Sequence, residues 1–207
     1  ADTMNGGKNK RVIGLKGARL ISDLEGESLV MGMDVNKTGI LCFAWCDNII
    51  IRNLEFVGPG SVDVSGKDNL TFHGSTNMWV DHCTVRDGID GNFDIIHGSD
   101  NISVTWCKFT YTNYRAHNTS NLVGKDDSNY VEDENHLNVT WGNCWWDANI
   151  KERTPRVRYG KNHIYNSYMS DDSKRNSEIQ VGYEGKIYAD YNRLTKAVKT
   201  SNAYKNL

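Results

Sequence analysis

The sequence is poor in the residues that build helices and in those that break chains. Two prolines in 207 residues leave few fixed kinks. Alanine and leucine are sparse while Ile, Val, Thr, Tyr and Trp recur, which disfavours a helical protein and favours strands. No apolar run approaches the ~18 residues of a membrane span, so no membrane partner is expected. Neither sign of charge dominates: 24 Lys and Arg stand against 26 Asp and Glu, a formal net of -2. No bulk attraction to nucleic acid is expected, and any anionic partner must be met by a local cluster.

The five cysteines (Cys42, Cys46, Cys83, Cys107, Cys144) are odd in number and form no Cys-x-x-Cys pair. That excludes a fully paired disulfide set and argues against a zinc site. Cys42 and Cys46 can pair if a turn brings them together; the alternative is two buried thiols. There is no Walker loop, G-x-S-x-G, G-x-G-x-x-G or H-x-x-x-H, so nucleotide, serine-hydrolase and His-based metal chemistry lack support.

What is present is glycine, 19 residues of it, and abundant asparagine, both suited to tight turns between strands. The 38% hydrophobic and 10% aromatic content excludes disorder, and the length suits one domain over 1–207. Five N-x-S/T sequons begin at Asn36, Asn69, Asn101, Asn118 and Asn138. They carry meaning only in a eukaryotic secretory host.

A degenerate repeat runs along the chain. Asn48-Ile49-Ile50-Ile51-Arg52-Asn53-Leu54-Glu55-Phe56 is matched in outline by Asn77 to Val85 and by Asn101 to Phe109. Weaker copies lie at Lys10–Leu15, His136–Trp141, Asn162–Asn166 and Gly185–Asp190. The period is ~23 to ~37 residues, a short β-rich unit followed by a variable insertion. Leu54, Cys83 and Cys107 share one slot, and Phe56, Val85 and Phe109 another, as expected when coils stack like side chains into interior ladders. A sandwich would space its strands at ~8 to ~12 residues, and no helical segments of a βαβ sheet intervene. The predicted fold is all-β: a right-handed parallel β-helix of roughly seven coils, its handedness following the rule for parallel crossovers. Insertions 57–67, 86–93 and 110–133 hang from it as loops, where function concentrates.

Three clusters can carry chemistry. Asp87-Gly88-Ile89-Asp90-Gly91-Asn92-Phe93-Asp94 is acidic, and Asp68 lies one coil earlier. Asp68, Asp90 and Asp94, brought together by stacking, would make a hard oxygen site suited to Ca²⁺; spacing alone leaves solvated turn aspartates as the alternative. Lys151-Glu152-Arg153-Thr154-Pro155-Arg156-Val157-Arg158 is basic. Arg156 and Arg158 share a strand face, and arginine forks suit the carboxylates of an acidic sugar; an exposed basic turn is the alternative. Trp141, Trp145, Trp146, Tyr159, Tyr165 and Tyr168 are expected to pack in the core rather than line a sugar cleft.

Three segments carry a resemblance. Asn77-Met78-Trp79-Val80-Asp81-His82-Cys83, then Phe93-Asp94-Ile95 through Val104-Thr105-Trp106-Cys107-Lys108-Phe109, then Arg153-Thr154-Pro155-Arg156-Val157-Arg158 resemble, in order, motifs of the pectate lyases of polysaccharide lyase family one. The resemblance implies calcium-dependent β-elimination on polygalacturonate. It implies Asp68, Asp90 and Asp94 as calcium ligands, Arg153 as the base at C5 and Arg158 as a substrate-carboxylate ligand, with Arg156 beside it. It also implies a secreted or extracellular protein, periplasmic or cell-surface location being the variants, and a monomer is expected. A pectin lyase acting on methylated pectin and a non-catalytic galacturonan-binding β-helix are the alternatives.

The chain departs from the family pattern. Thr119 stands where the family carries a loop Lys before Leu122-Val123-Gly124, and Arg115 or Lys125 is the expected substitute. Gly66 stands at the position of a more N-terminal acidic ligand. Trp141-Gly142-Asn143 replaces a His pair. The start, ADTMNGGKNK, shows no charged-then-apolar leader and reads as a mature or truncated end. The family's full N- and C-terminal caps are expected to be lacking.

Overall fold

A computed structural model describes residues 1–22, 24, 38–62, 66–170 and 179–194. Their strands wind into a right-handed parallel β-helix of three sheets, each of seven strands. The first sheet stacks Asp2–Asn5, Leu41–Ala44, Leu70–His73, Phe93–Ile96, Asn121–Val123, Arg156–Val157 and Gln180–Val181 in that order. The second runs from Lys8–Ile13 to Lys186–Asp190, and the third from Arg19–Ile21 to Arg193–Leu194. Every strand pairing is parallel and one coil apart, so a residue's neighbour in space is its counterpart in the next coil.

The asparagines and several bulky residues explain themselves at the corners. Between the second and third sheets the chain turns on one residue in the left-handed region: Asn53, His82, Trp106, Asn143, Asn166 and Tyr191, all with φ between 48° and 57°. Asn accepts that conformation most readily after Gly. Asn9, Asn48, Asn77 and Asn101 likewise have positive φ, and Asn48 Nδ2 donates to Asn9 Oδ1 at 2.7 Å. The side chains of successive coils thus satisfy one another along the axis.

Inward residues form the ladders that the repeat predicts. Phe56, Val85, Phe109, Trp146 and Met169 stack in register and are fully buried. The residue after each corner, Leu54, Cys83, Cys107 or Cys144, is buried too. All five cysteines are free thiols. Cys42 and Cys46 are not joined, and Cys42 is only half-buried. Buried indoles find polar partners inside: Trp141 Nε1 donates to Asn162 Oδ1 at 3.0 Å and Trp146 Nε1 to Asn121 Oδ1 at 2.6 Å.

Some expectations are corrected. Trp141, Trp146 and Tyr159 are in the core, but Trp145 is exposed, because it alternates with inward Trp146 on the same strand. Its ring carries Lys108 Nζ 4.0 Å from the centroid. Tyr165 and Tyr168 are only partly buried. The segment 110–133 is not wholly a loop, since it holds the strand Asn121–Val123 and a one-turn helix, Tyr130–Asp133. Of the sequons, Asn69 and Asn118 are fully buried and inaccessible to a glycan, and Asn36 lies outside the described residues.

Candidate active site

The connections from the third sheet to the first all leave from one corner; 58–69, 87–92, 111–120 and 147–155 are four of them in succession. Functional side chains from four coils therefore gather beside the outer face of the first sheet. Asp94 stands on that face, between Thr71 and Leu122 on the adjacent strands. Asp68 and Asp90 precede the strands Leu70–His73 and Phe93–Ile96. Arg153 is tied one coil further on, its carbonyl accepting from the Asn121 amide at 2.8 Å. Asp68, Asp90, Asp94, Arg153 and Lys125 line one cleft of about 1030 Å³.

Asp68 and Asp94 meet there. Asp68 is 5% exposed. Burial, then the Asp94 charge, holds its carboxyl well above the usual carboxylate range. Asp94 is also raised, chiefly by burial, although a hydrogen bond from Asp68 and the Arg153 charge oppose the rise. Each member of the pair is therefore harder to ionise than a lone aspartate. Gly91 makes room for it: a Cβ at that position would lie 2.2 Å from Asp68 Oδ1.

Asp90 is held differently. His117 Nε2 donates to its Oδ1 at 2.9 Å, the Gly66 amide to its Oδ2 at 3.0 Å, and Thr119 Oγ1 to its main-chain carbonyl at 2.8 Å. Gly66 thus supplies an N–H where an acidic ligand was sought. Among the described residues, no three Asp, Glu, His or Cys groups are closed tightly enough to hold a metal as they stand. The donor set still fits a hard divalent cation: three carboxylates in one cleft, two of them buried against each other with excess negative charge.

The arginines divide. Arg153 has φ 64°, a conformation that costs a non-Gly residue about 1 kcal/mol or more, and its Nε is buried without a hydrogen-bond partner. Arg156 lies in the same outward row as Asp94, two strands away across Leu122. Arg158 Nε donates to Asp127 Oδ1 at 3.1 Å and its Nη1 to the Gly124 carbonyl at 3.1 Å. Burial, then Arg156, pushes Arg158 below the ordinary guanidinium range; Arg153 adds to this while Asp127 opposes it. Arg115 is placed elsewhere, beside Gly58, Pro59, Gly60 and Asp87 in a separate pocket, its Nη1 donating to the Ser61 carbonyl at 3.1 Å.

Sequence reasoning passed over Lys67, His73, His97 and His117, all of which line the acidic cleft. His73 and His97 stack with centroids 4.0 Å apart. The one available signal was the place of His117, two residues before Thr119, where a functional Lys was expected.

These features define a right-handed parallel β-helix protein with an acidic, arginine-flanked groove on its first sheet. Solved structures share the fold: one pectate lyase, described in a study of substrate specificity and the anti β-elimination mechanism, aligns with TM-score 0.71 and 26% identity over 96% of this chain and 54% of its own. The sequence profile of the family described as Pectate lyase matches residues 4–206, and the chain belongs to that family. Pectate lyase A of Aspergillus niger is 40% identical over 134 residues, 61% of this chain and 39% of that protein. Pectate lyase of Bacillus subtilis is 29% identical over 212 residues, 84% of this chain and 49% of that protein. The chain thus spans half or less of the length of these two relatives.

Proposed function

We propose that this chain carries the catalytic groove of a calcium-dependent pectate lyase, cleaving polygalacturonate by β-elimination. The observation that supports it most is the buried Asp68–Asp94 pair facing Arg153 in one cleft. Asp68, Asp90 and Asp94 are the residues that would hold Ca²⁺. When bound, Ca²⁺ withdraws charge from a uronate carboxylate and acidifies the neighbouring C5–H.

The rest of the chemistry falls to the protein. Arg158, Arg156 and Lys125 bind and orient substrate carboxylates, the Arg156 fork in bidentate fashion and Arg158 through Nη2, since its Nε and Nη1 are engaged by Asp127 and the Gly124 carbonyl. The proton at C5 passes to Arg153, the C4–O bond breaks, and the electron pair forms the C4=C5 double bond. The leaving oxygen takes up a proton, and an unsaturated uronide remains. A free Arg is protonated, so a basic role needs neighbours that disfavour its charge. Arg115, outside this cleft, would meet substrate only beyond it. The polymeric substrate implies an extracellular location, and a monomer is sufficient because every named group comes from one chain.

The test follows the ultraviolet absorbance of the unsaturated product on polygalacturonate, with calcium and then with chelator. A rise that requires calcium is expected. A rise that survives complete calcium removal overturns the calcium assignment. Thr119 favours a second reading, a galacturonan-binding β-helix without turnover, since its hydroxyl is spent on the Asp90 carbonyl. That reading is distinguished by polygalacturonate binding without product.

A further inference from the structure

We infer that His117 is a positioning residue for the cation site, setting the orientation of the Asp90 carboxylate; this rests on the calcium reading above. Asp68 and Asp94 are fixed by each other. Asp90 has no carboxyl partner, and its side chain depends on donors from elsewhere: His117 Nε2 on Oδ1 at 2.9 Å and the Gly66 amide on Oδ2 at 3.0 Å. A carboxylate only accepts, so Nε2 carries the proton in this contact.

The ring can orient Asp90 only if it is itself held, and it is. Its neighbour Asn118 is fully buried and clamps the 111–120 connection at three points. Asn118 Nδ2 donates to the carbonyls of Asn113 at 2.8 Å and Asn149 at 2.7 Å, and its Oδ1 accepts from Ser61 Oγ at 2.5 Å. On the other side, the His117 carbonyl accepts from the Thr119 amide at 2.9 Å, and Thr119 Oγ1 grips the Asp90 main chain. Side chain and backbone of Asp90 are thus gripped from one short segment of the next coil. The His117 ring is half-buried and faces the cleft rather than the core, so its place serves the site.

Outer partners of this kind typically change metal affinity by about 10–100-fold when removed. Calcium titration calorimetry on the metal-free protein reads this directly, with melting curves in chelator alongside. H117A is expected to weaken calcium binding by about 10–100-fold. H117Q, whose amide nitrogen reaches the position of Nε2, is expected to recover most of the loss, and H117N, one methylene shorter, is not. All are expected to melt within a few degrees of the parent in chelator. Should H117A not fold, the H117Q and H117N pair carries the comparison. Parental calcium affinity in H117A, or in H117N, overturns the inference. A parent protein that takes up no calcium overturns the calcium reading first and this inference with it.

Discussion

Asp68 and Asp94, 26 residues apart in sequence, meet on adjacent coils as a carboxyl pair joined by a hydrogen bond, and burial is the main reason that both are hard to ionise. The site is therefore under electrostatic load whenever no cation is present. Replacing one member with its neutral isostere keeps a hydrogen bond and removes the charge. D68N is expected to stabilise the chelator-treated protein by about 1 kcal/mol, the range of a typical single substitution. The same variant is expected to lose the increase in melting temperature that calcium gives the parent. Melting curves in chelator and in excess calcium check both halves, and a destabilised D68N in chelator would count against the charged-pair account.

The same pair sets a pH dependence. An unfolded Asp titrates near ~3.9, and both folded values lie above their ordinary range. A group raised on folding contributes stability that is fully present below its unfolded value and is lost as pH climbs through its folded one. Other carboxylates work in the opposite sense: Glu55 is held low chiefly by its hydrogen bond from Arg86. The informative quantity is thus the difference between D68N and parent. In chelator its melting advantage is expected to be smallest near pH ~4 and to grow towards neutrality. An advantage that shrinks as pH rises has the wrong sign for this origin.

Gly91 gives a steric test of the same pocket. Its φ is not in the left-handed region, so a side chain is admissible to the backbone, but an added Cβ would lie 2.2 Å from Asp68 Oδ1 and 3.2 Å from Thr119 Oγ1. G91A must push the Asp68 carboxyl away from Asp94. Calcium affinity is expected to fall by about 10-fold or more, comparable to loss of a supporting contact. Calorimetry checks this, and unchanged affinity would mean that Asp68 is not a ligand.

The repeat was legible because the solenoid imposes its own chemistry on the letters. A corner that turns on one left-handed residue selects Asn, as at Asn53 and Asn143, and the slot after it selects small apolar side chains, as at Cys83 and Cys107. Asp94 and Arg153 stand in segments that carry the family resemblance, Asp90 lies just before the first of these and Asp68 one coil earlier, and all four line one cleft. The insertions were not legible. The course of 111–120 is set by Asn118 reaching Ser61 and Asn149, contacts 57 and 31 residues away in sequence, and no local pattern encodes them. That is why His117 was passed over and why Arg115 lies apart from the acidic cleft. Trp145 was misplaced for a simpler reason: two adjacent tryptophans on one strand cannot both face inward.

Arg153 separates function from stability most sharply. Its Nε makes no hydrogen bond despite burial and its backbone sits at φ 64°, both of which cost stability, while its charge eases the buried Asp68 and Asp94 carboxyls. R153A is expected to melt within about 1 kcal/mol of the parent, because the strain and unmet Nε it relieves offset the lost charge beside the acidic pair. R153G is expected to match or exceed R153A, because glycine adopts positive φ without strain. If Arg153 takes the C5 proton, both variants lose turnover by at least about 10²–10⁴-fold, the usual share of a positioned acid–base group, while retaining calcium binding. Product formation on polygalacturonate and calorimetry with calcium read the two properties separately. Variants that fold, bind calcium and still turn over at the parental rate would move the base to another group in the cleft, and one that loses calcium binding together with turnover would recast Arg153 as an electrostatic support of the acidic pair.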